Sequence, residues 1–196
     1  PEVPTVLNMR KTHQHDGARP WRGVKRDQWE GGHRTPLIVK WPGHVKAGSV
    51  SDQIINLTDL FATCAAIAGK DYPKGMGEDS YNMLPVLKGQ FSEGMLRPYM
   101  IQQTHWAQEK SIRVGQWKYL DHRGSGGNNY DRDRGDWSMK PYKLPDTDTE
   151  APGQLYDLAT DPGETTNLYS KHPGKVQELK SLLDKSVASG RSAPLE

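Results

Sequence analysis

The chain has 196 residues, with 26 basic and 24 acidic side chains and a formal net charge of +2. This length allows one or two modest domains, and the near balance of charge argues against a general nucleic-acid binder, which usually has a concentrated basic face. The one cysteine excludes an internal disulfide and a cysteine metal cluster, and no apolar run reaches the roughly 18 residues of a membrane-spanning helix.

The first 41 residues combine a polar stretch with a short apolar run. Residues 1–36 are punctuated by Gly and Pro, which predicts an extended surface loop. The sequence PLIVKW at 36–41 precedes the turn sequence PGHVKAGS and predicts a buried strand. The chain begins with Pro rather than Met, and its opening PEVPTVLNMRKTHQHDG is typical of the middle of a loop, so we expect a truncated start.

The sequence NLTDLFATCAAIAGK at 56–70 predicts a helix. Thr58 or Asn56 can cap its start, and Gly69 can end it. Cys64 lies on its apolar side, so we expect a core residue rather than a nucleophile. The face predicted to be buried contains Leu57, Leu60, Phe61, Cys64, Ala65, Ile67 and Ala68.

The remaining elements fall on either side of an expected boundary near 89–97, which gives predicted domains 1–90 and 91–196. MGEDSYNMLPVLKGQ predicts a loop and a short helical turn ended by Gly89. RPYMIQQ and EKSIRVGQWKYLDH predict strands, the second with a bulge at Gly115. QLYDLATDPGETTNL predicts a strand and then a turn.

Two further segments lie in the second half. Residues 123–153 form a long Gly-, Asp- and Arg-rich insertion, and loops of this length are usually functional or mobile. The sequence HPGKVQELKSLLDKSVASG predicts a final amphipathic helix. Its apolar face contains Val176, Leu179, Leu182, Leu183 and Val187.

The stretch GVKRDQWEGGHRTPLIVKWPG at 23–43 contains the best candidate for chemistry. Lys25 lies in a Gly-flanked loop before the predicted strand, where it can meet an anion or remain a solvated surface lysine. Glu30 and Arg34 can form an ion pair that holds a tight turn, and Gly31 and Gly32 permit positive φ there. The structural role of Glu30 and Arg34 is favoured over a catalytic one.

Two other patterns are weaker. His13 and His15, beside Asp16, could face the same side, but zinc would need a third and usually a fourth ligand. Contact with a polar substrate is therefore favoured over metal binding. DPGETTN at 161–167 lacks the carboxylate spacing of an EF-hand, so a Pro-Gly turn explains it better. The residues alone leave the function open.

The stretch GVKRDQWEGGHRTPLIVKWPGHVKAGSVSDQIINLTDLFATCAAIAG closely resembles a signature of the formylglycine-dependent, arylsulfatase-like sulfatases. The shared pattern is a lysine, four residues, Glu-Gly-Gly, a basic position, a Pro, an apolar strand ending Trp-Pro-Gly, and a TDL helix. GEDSYNMLPVLKG, SIRVGQWKYL and QLYDLATDPGETTNL also resemble later blocks of this family, in the same order. The resemblance covers nearly the whole chain except 123–153.

The resemblance implies an α/β, alkaline-phosphatase-like sulfatase fold. Residues 1–90 would be the C-terminal part of the catalytic domain, and 91–196 a subdomain with an antiparallel sheet and a terminal helix. The implied reaction is hydrolysis of a sulfate ester by a formylglycine hydrate, with Ca²⁺ polarising the sulfate. Lys25 would be a catalytic residue that contacts the sulfate. His13, His15, His105 and the 123–153 loop would contact the sugar or aryl part of the substrate.

The chain departs from the family pattern in one respect. It has no Cys/Ser-x-Pro/Ala-x-Arg motif, and the family's Asp-Asn calcium ligands would precede Pro1. We therefore expect no metal ligand in this chain, and no activity without the N-terminal half of the same protein. The family implies a sulfated small molecule or glycan as the substrate and a periplasmic or secreted location. A phosphoester or phosphonate hydrolase, and a non-catalytic sulfated-glycan-binding remnant, remain alternatives.

Overall fold

The computed structural model describes residues 9–91, 94–104, 108–132 and 138–194. The chain forms two compact units. One unit combines Pro1–Thr35 with Ile101–Ser181, and the other combines Pro36–Met100 with Leu182–Glu196. Each unit therefore joins segments that are distant in sequence. The boundary near residue 90 divides the chain differently and stays a prediction.

A four-stranded sheet is the centre of the first unit. Its strands are β1 (Met100–Gln103), β2 (Lys110–Val114), β3 (Trp117–Leu120) and β4 (Gln154–Asp157), in the spatial order β1-β2-β3-β4. Strand β3 pairs antiparallel with both β2 and β4. The strands predicted from their alternating β-branched and aromatic residues are confirmed.

Gly115 lies in a hairpin turn rather than in a bulge, so the bulge prediction was wrong. Val114 pairs directly with Trp117, which leaves Gly115 and Gln116 as a two-residue loop. Gly115 has a φ of +56°, and glycine is preferred at the first central position of such a turn. The predicted single strand is thus two paired strands.

The interior of the first unit is formed by the sheet together with residues from before it. Leu120 and Tyr156 pack with Trp29 in one buried cluster. Ile112 and Leu155 are fully withdrawn from solvent. Because burying a large apolar side chain contributes roughly 1.5–3 kcal/mol, the cluster of Trp29, Leu120 and Tyr156 holds residues 21–34 against the sheet.

The predicted C-terminal helix is confirmed as Pro173–Ser189, the longest helix of the described residues. Val176, Leu179 and Leu183 of its predicted apolar face are buried. Val187, predicted on the same face, is exposed at 48% of its maximal accessibility. No helix in the described part of the chain is long and apolar enough to span a bilayer.

The second unit contains α1 (Asp59–Ile67) and α2 (Leu84–Leu87). Both helices match the predictions, and each is followed by a glycine at positive φ, +61° for Gly69 and +67° for Gly89. The C-terminal helix named above is α3.

The predicted buried face of α1 was wrong. Leu60, Phe61 and Cys64 are exposed, whereas Asp59 and Thr63 are buried along with Ala62. The cause is a polar network. The Asp59 carboxylate accepts hydrogen bonds from the backbone N–H groups of Asn56 at 2.7 Å and Tyr81 at 2.9 Å. It also pairs with the buried guanidinium of Arg97, so the polar side of the helix faces inward.

The segment 36–41 is neither a strand nor buried, which contradicts its prediction. Leu37, Ile38 and Val39 are exposed, with Ile38 at 91% of its maximal accessibility. Among the described residues no strand pairs with this segment. Its backbone groups and apolar side chains therefore face solvent within the part of the chain that the structure describes.

Candidate functional site

Residues 21–34 form the framework of the candidate site, and they are not the surface loop that was predicted for 1–36. Residues 9–13 are helical, and a 3-10 turn spans Glu30–Gly32. Val24, Asp27 and Gln28 are buried along with Trp29 and Glu30. Trp29 donates a hydrogen bond from Nε1 to Oε1 of Gln154, 3.0 Å away on β4, and so ties the segment to the sheet.

Close backbone packing, not positive φ, explains the glycine pair. Neither Gly31 nor Gly32 has a positive φ. A Cβ on Gly31 would lie 2.5 Å from the carbonyl oxygen of Gly23, and one on Gly32 would lie 1.9 Å from that of Asp27. The glycines therefore let the chain fold back on itself, which corrects the predicted reason for their presence.

Glu30 is the centre of a buried ion cluster. Its carboxylate lies 2.9 Å from Nε of Arg34, which confirms the predicted ion pair. It also lies 2.8 Å from Nη1 of Arg113 and 3.0 Å from Nζ of Lys118. Burial alone would raise the pKa of Glu30, but the charges of Lys118, Arg113 and Arg34 outweigh it and lower the pKa to about 2. Glu30 is therefore ionised.

Glu164 is a second buried carboxyl group in this cluster, and the sequence analysis did not predict its role. Its Oε2 accepts the backbone N–H of Glu30 at 2.6 Å, while its Oε1 lies 3.5 Å from Nζ of Lys118. Lys118 is closer to Glu30, so the burial of Glu164 is less well compensated. Burial raises the pKa of Glu164 to about 7.

The sequence around Glu164 forms the turn that was predicted for 161–167. Asp161 accepts hydrogen bonds from the backbone N–H groups of Thr165 at 2.8 Å and Thr166 at 2.9 Å. Its other oxygen accepts the Thr165 hydroxyl at 2.9 Å. Glu164 itself has a φ of +50°. The turn directs Glu164 into the interior.

His33 follows the glycine pair and is half-buried beside Lys118. Its Nε2 lies 3.2 Å from Nζ of Lys118. Burial and the neighbouring Lys118 charge lower the pKa of His33 to about 3. The imidazole is therefore neutral, and Nε2 can accept a hydrogen bond from the ammonium group.

Lys25 lies on an exposed turn at one end of this framework. Its carbonyl oxygen accepts a hydrogen bond at 2.9 Å from Nδ2 of Asn128, a residue of the 123–153 insertion. The next residue, Arg26, has a φ of +87°. The side chain of Lys25 is thus presented at the surface by a backbone that a second segment holds.

The first unit contains a cavity of about 590 Å³ beside this turn, which we call the Tyr130 cavity. Aromatic rings, cationic groups and acidic groups all line it. Asn128, which touches the Lys25 carbonyl, is also in its wall. The lining includes Trp29, Tyr130, Tyr156, Arg22, Arg123, Lys143, Glu109, Asp131, Asp146, Asn128 and Asn129. Polar, charged and aromatic side chains thus share one wall.

The predicted histidine contacts are not brought together with Lys25 by any described interaction. His13 and His15 are exposed, and the neighbouring Asp16 pairs with Arg10 at 2.5 Å and Arg19 at 3.2 Å. His105 lies outside the described residues. Within the described ranges, no three His, Cys, Asp or Glu side chains are grouped to hold a metal ion. The prediction that the calcium ligands precede Pro1 stays a prediction.

Comparison with known proteins identifies the class. Over residues 21–125 the sequence matches the family described as N-sulphoglucosamine sulphohydrolase, C-terminal, and this match covers more than half of the chain. The chain therefore belongs to the sulfatases, within that C-terminal family.

Individual relatives of the chain are also sulfatases. The chain is 32% identical to the N-acetylgalactosamine-6-O-sulfatase of Bacteroides thetaiotaomicron over 84% of its length and 29% of the relative. It is 46% identical to human N-acetylgalactosamine-6-sulfatase over 35% of its length and 13% of the relative.

A Bacteroides thetaiotaomicron sulfatase, solved in work on the metabolism of multiple glycosaminoglycans, has a similar structure. It shares 30% identity with a TM-score of 0.65, over 84% of this chain and 31% of that one. The predicted sulfatase fold, with a small antiparallel sheet and helices, is thereby confirmed. The chain spans less than a third of the length of each of these relatives.

Proposed function

We propose that the chain is the C-terminal portion of a sulfatase that hydrolyses sulfate esters of a carbohydrate. The observation that carries the proposal is the position of Lys25, on an exposed turn five residues before the buried Glu30-Gly-Gly framework, within the segment that matches the sulfatase family. The names of two relatives, both N-acetylgalactosamine 6-sulfatases, favour an amino sugar as the substrate class.

Lys25 acts in this proposal as the cation that contacts the sulfate group. An ammonium group about 4 Å from a unit negative charge gains roughly 4 kcal/mol at an effective dielectric constant near 20. The buried ion cluster around Glu30 anchors the segment 21–34 to the sheet, which would place the charge before the substrate binds. Preorganised charge of this kind commonly contributes about 10²- to 10³-fold in rate.

The Tyr130 cavity would receive the sugar part of the substrate. Its wall contains the half-buried ring of Tyr130, and an aromatic ring can present a flat apolar face to a pyranose. The amide side chain of Asn129 can bond its hydroxyl groups. His13, His15 and His105 remain proposed contacts of the same substrate.

The nucleophile and the metal belong to other parts of the protein in this proposal. The sequence has no Cys/Ser-x-Pro/Ala-x-Arg motif, and the described residues offer no metal-binding group. We therefore assign the formylglycine and the Ca²⁺ ligands to the N-terminal half of the same protein. A periplasmic or secreted location is part of the proposal.

The exposed segment 36–41 is the proposed contact with that N-terminal half. Leu37, Ile38 and Val39 have the composition of a buried strand but are exposed here. Amide hydrogen exchange would compare this segment in the chain alone and in the longer protein. We expect strong protection in the longer protein only. Equal exchange in both would contradict the assignment.

A kinetic experiment on the longer protein tests the function. Lys25→Ala is expected to lower kcat/KM for an N-acetylgalactosamine 6-sulfate ester by about 10²- to 10³-fold. The matched control is Lys46→Ala, an exposed lysine of the second unit, which should leave the rate unchanged. Unchanged activity of Lys25→Ala, or faster hydrolysis of the matching phosphate ester, would overturn the proposal.

A further inference from the structure

The 123–153 insertion contacts the turn that carries Lys25 through one amide group. Nδ2 of Asn128 donates to the Lys25 carbonyl oxygen at 2.9 Å and to Oδ1 of Asp27 at 2.8 Å. A single side chain therefore bonds both to the backbone of Lys25 and to the side chain two residues later. Such a bridge restricts the backbone from which the Lys25 side chain extends.

A second hydrogen bond from the insertion fixes the same turn. The Tyr130 hydroxyl donates to Oδ2 of Asp27 at 2.5 Å, and this oxygen also accepts the backbone N–H of Val24 at 2.8 Å. Asp27 is only 2% exposed. Removal of the Tyr130 donor would leave a buried carboxyl oxygen with one donor fewer, which is costly in a buried site.

The backbone of the insertion also packs against the turn. A Cβ on Gly127 would lie 1.8 Å from the carbonyl oxygen of Arg26. The N–H of Gln28 donates to the carbonyl oxygen of Ser125 at 2.7 Å. Arg26, between these contacts, has a φ of +87°, a conformation that persists in a non-glycine residue only when its surroundings hold it.

We propose that Asn128 and Tyr130 are positioning residues for Lys25, so that the insertion sets where the lysine ammonium meets the sulfate. This inference rests on the proposed function, since it gives the insertion a role through Lys25. The two side chains touch the turn on one side and line the Tyr130 cavity on the other. They would thereby align the sulfate contact with the sugar contact.

A double-mutant cycle in the longer, active protein tests the proposal. Asn128→Ala is expected to raise KM for the sulfate ester and to lower kcat/KM by about 10- to 100-fold, because a misplacement near 1 Å can cost about 10²-fold. In a Lys25→Ala background the same change should cost less than about threefold, since the group it positions is absent.

The readout separates positioning from a merely structural role. Loss of folded protein would lower the apparent kcat in both backgrounds and leave KM unchanged. Tyr130→Phe removes one hydroxyl group and keeps the ring, so it replaces Asn128→Ala if that variant does not fold. The control is Gln90→Ala, which removes an exposed amide side chain of the second unit and should match the parent enzyme.

The losses in the two backgrounds distinguish the positioning role from the proposed function. Equal losses in both backgrounds would overturn the positioning role while leaving the proposed function intact. If Lys25→Ala itself has no effect, the proposed function fails first. A loss that appears only when Lys25 is present would establish that the insertion acts through it.

Discussion

Nζ of Lys118 on β3 lies 3.0 Å from the carboxylate of Glu30, and both side chains are almost completely withdrawn from solvent. Glu30 begins the 3-10 turn Glu30–Gly32, which we call the glycine-pair turn. The two residues are 88 positions apart in sequence. Their contact joins the segment 21–34, which includes Lys25, to the central sheet. The stability of this segment therefore depends on a charge that lies in another element.

Lys118→Met should be strongly destabilising. The change would leave Glu30 and Glu164 without the ammonium group between them, and breaking a buried pair typically costs about 3–5 kcal/mol. Denaturant unfolding monitored by circular dichroism gives the free energy of unfolding. The control is Lys171→Met at an exposed position, expected within about 0.5 kcal/mol of the parent. A similar small effect for Lys118→Met would contradict the assigned role.

The buried groups also make stability depend on pH. The pKa of Glu164 is raised to about 7 from 4.5, so its contribution is complete below pH 4.5 and is lost as pH rises to about 7. The pKa of His33 is lowered to about 3 from 6.5, so its contribution is lost as pH falls below 6.5. Glu30, with a pKa of about 2, loses its contribution below pH 4.5. We expect a shallow pH dependence between 4.5 and 6.5 and steep acid destabilisation below it.

Glu164→Gln isolates one of these contributions. The amide cannot ionise, so the variant should gain stability relative to the parent as pH rises from 4.5 to 7, by up to about 1.4 kcal/mol per pH unit. Unfolding curves at half-unit intervals of pH measure this difference. Glu150→Gln changes an exposed carboxyl group and should give a curve parallel to that of the parent. Parallel curves for Glu164→Gln as well would show that Glu164 does not titrate as inferred.

Gly32→Ala should disrupt the glycine-pair turn. The added Cβ would lie 1.9 Å from the carbonyl oxygen of Asp27, and backbone cannot yield as a flexible side chain can, so we expect a loss of about 3 kcal/mol or more. Thermal unfolding compares it with Gly174→Ala in α3, where the added Cβ meets no atom within 4 Å. That control should be neutral or stabilising by up to about 1 kcal/mol. Equal melting temperatures would refute the close approach.

Asp59→Ala should destabilise the second unit. The change would remove the acceptor of two backbone N–H groups and leave the Arg97 guanidinium buried without its carboxylate, at a cost of about 3–5 kcal/mol. Asp52→Ala, at an exposed position of the same unit, provides the comparison in urea unfolding. A loss below about 1 kcal/mol would show that the network is not essential.

The sequence predicted those features that depend only on residues close together in the chain. The C-terminal end of α1 followed from Gly69, because a left-handed glycine acts within one turn, whereas the side chain of Thr58 at its start makes no capping hydrogen bond. The pair Glu30–Arg34 was predictable because four residues bring the two side chains together. In contrast, Arg97 reaches Asp59 from 38 positions away, and that distant partner decides which face of α1 is buried.

The residues of the candidate site also fall into two groups, those indicated by their neighbours in the sequence and those brought close only by folding. Lys25 was singled out from its immediate neighbours and from the family pattern. Asn128, Lys118 and Glu164 were missed because each meets the turn only after the chain has folded. A single Asn in a polar insertion has no periodicity or spacing that distinguishes it. The segment 36–41 was assigned by composition, which does not reveal whether a neighbouring strand is present.

The way the two compact units share the chain affects how it can be handled. The backbone passes from one unit to the other after Thr35, after Met100 and after Ser181, so no single cleavage separates them. Expression of 1–90 or 91–196 alone would yield part of each compact unit. Neither unit would then have all of the residues that form its interior. A protease nick between 42 and 50 would leave 9–35 bound to the sheet through the Glu30 ion cluster. Deletions that extend from either end into the described residues would likewise remove part of a folded unit, so deletion mapping would report misfolding before it reported function.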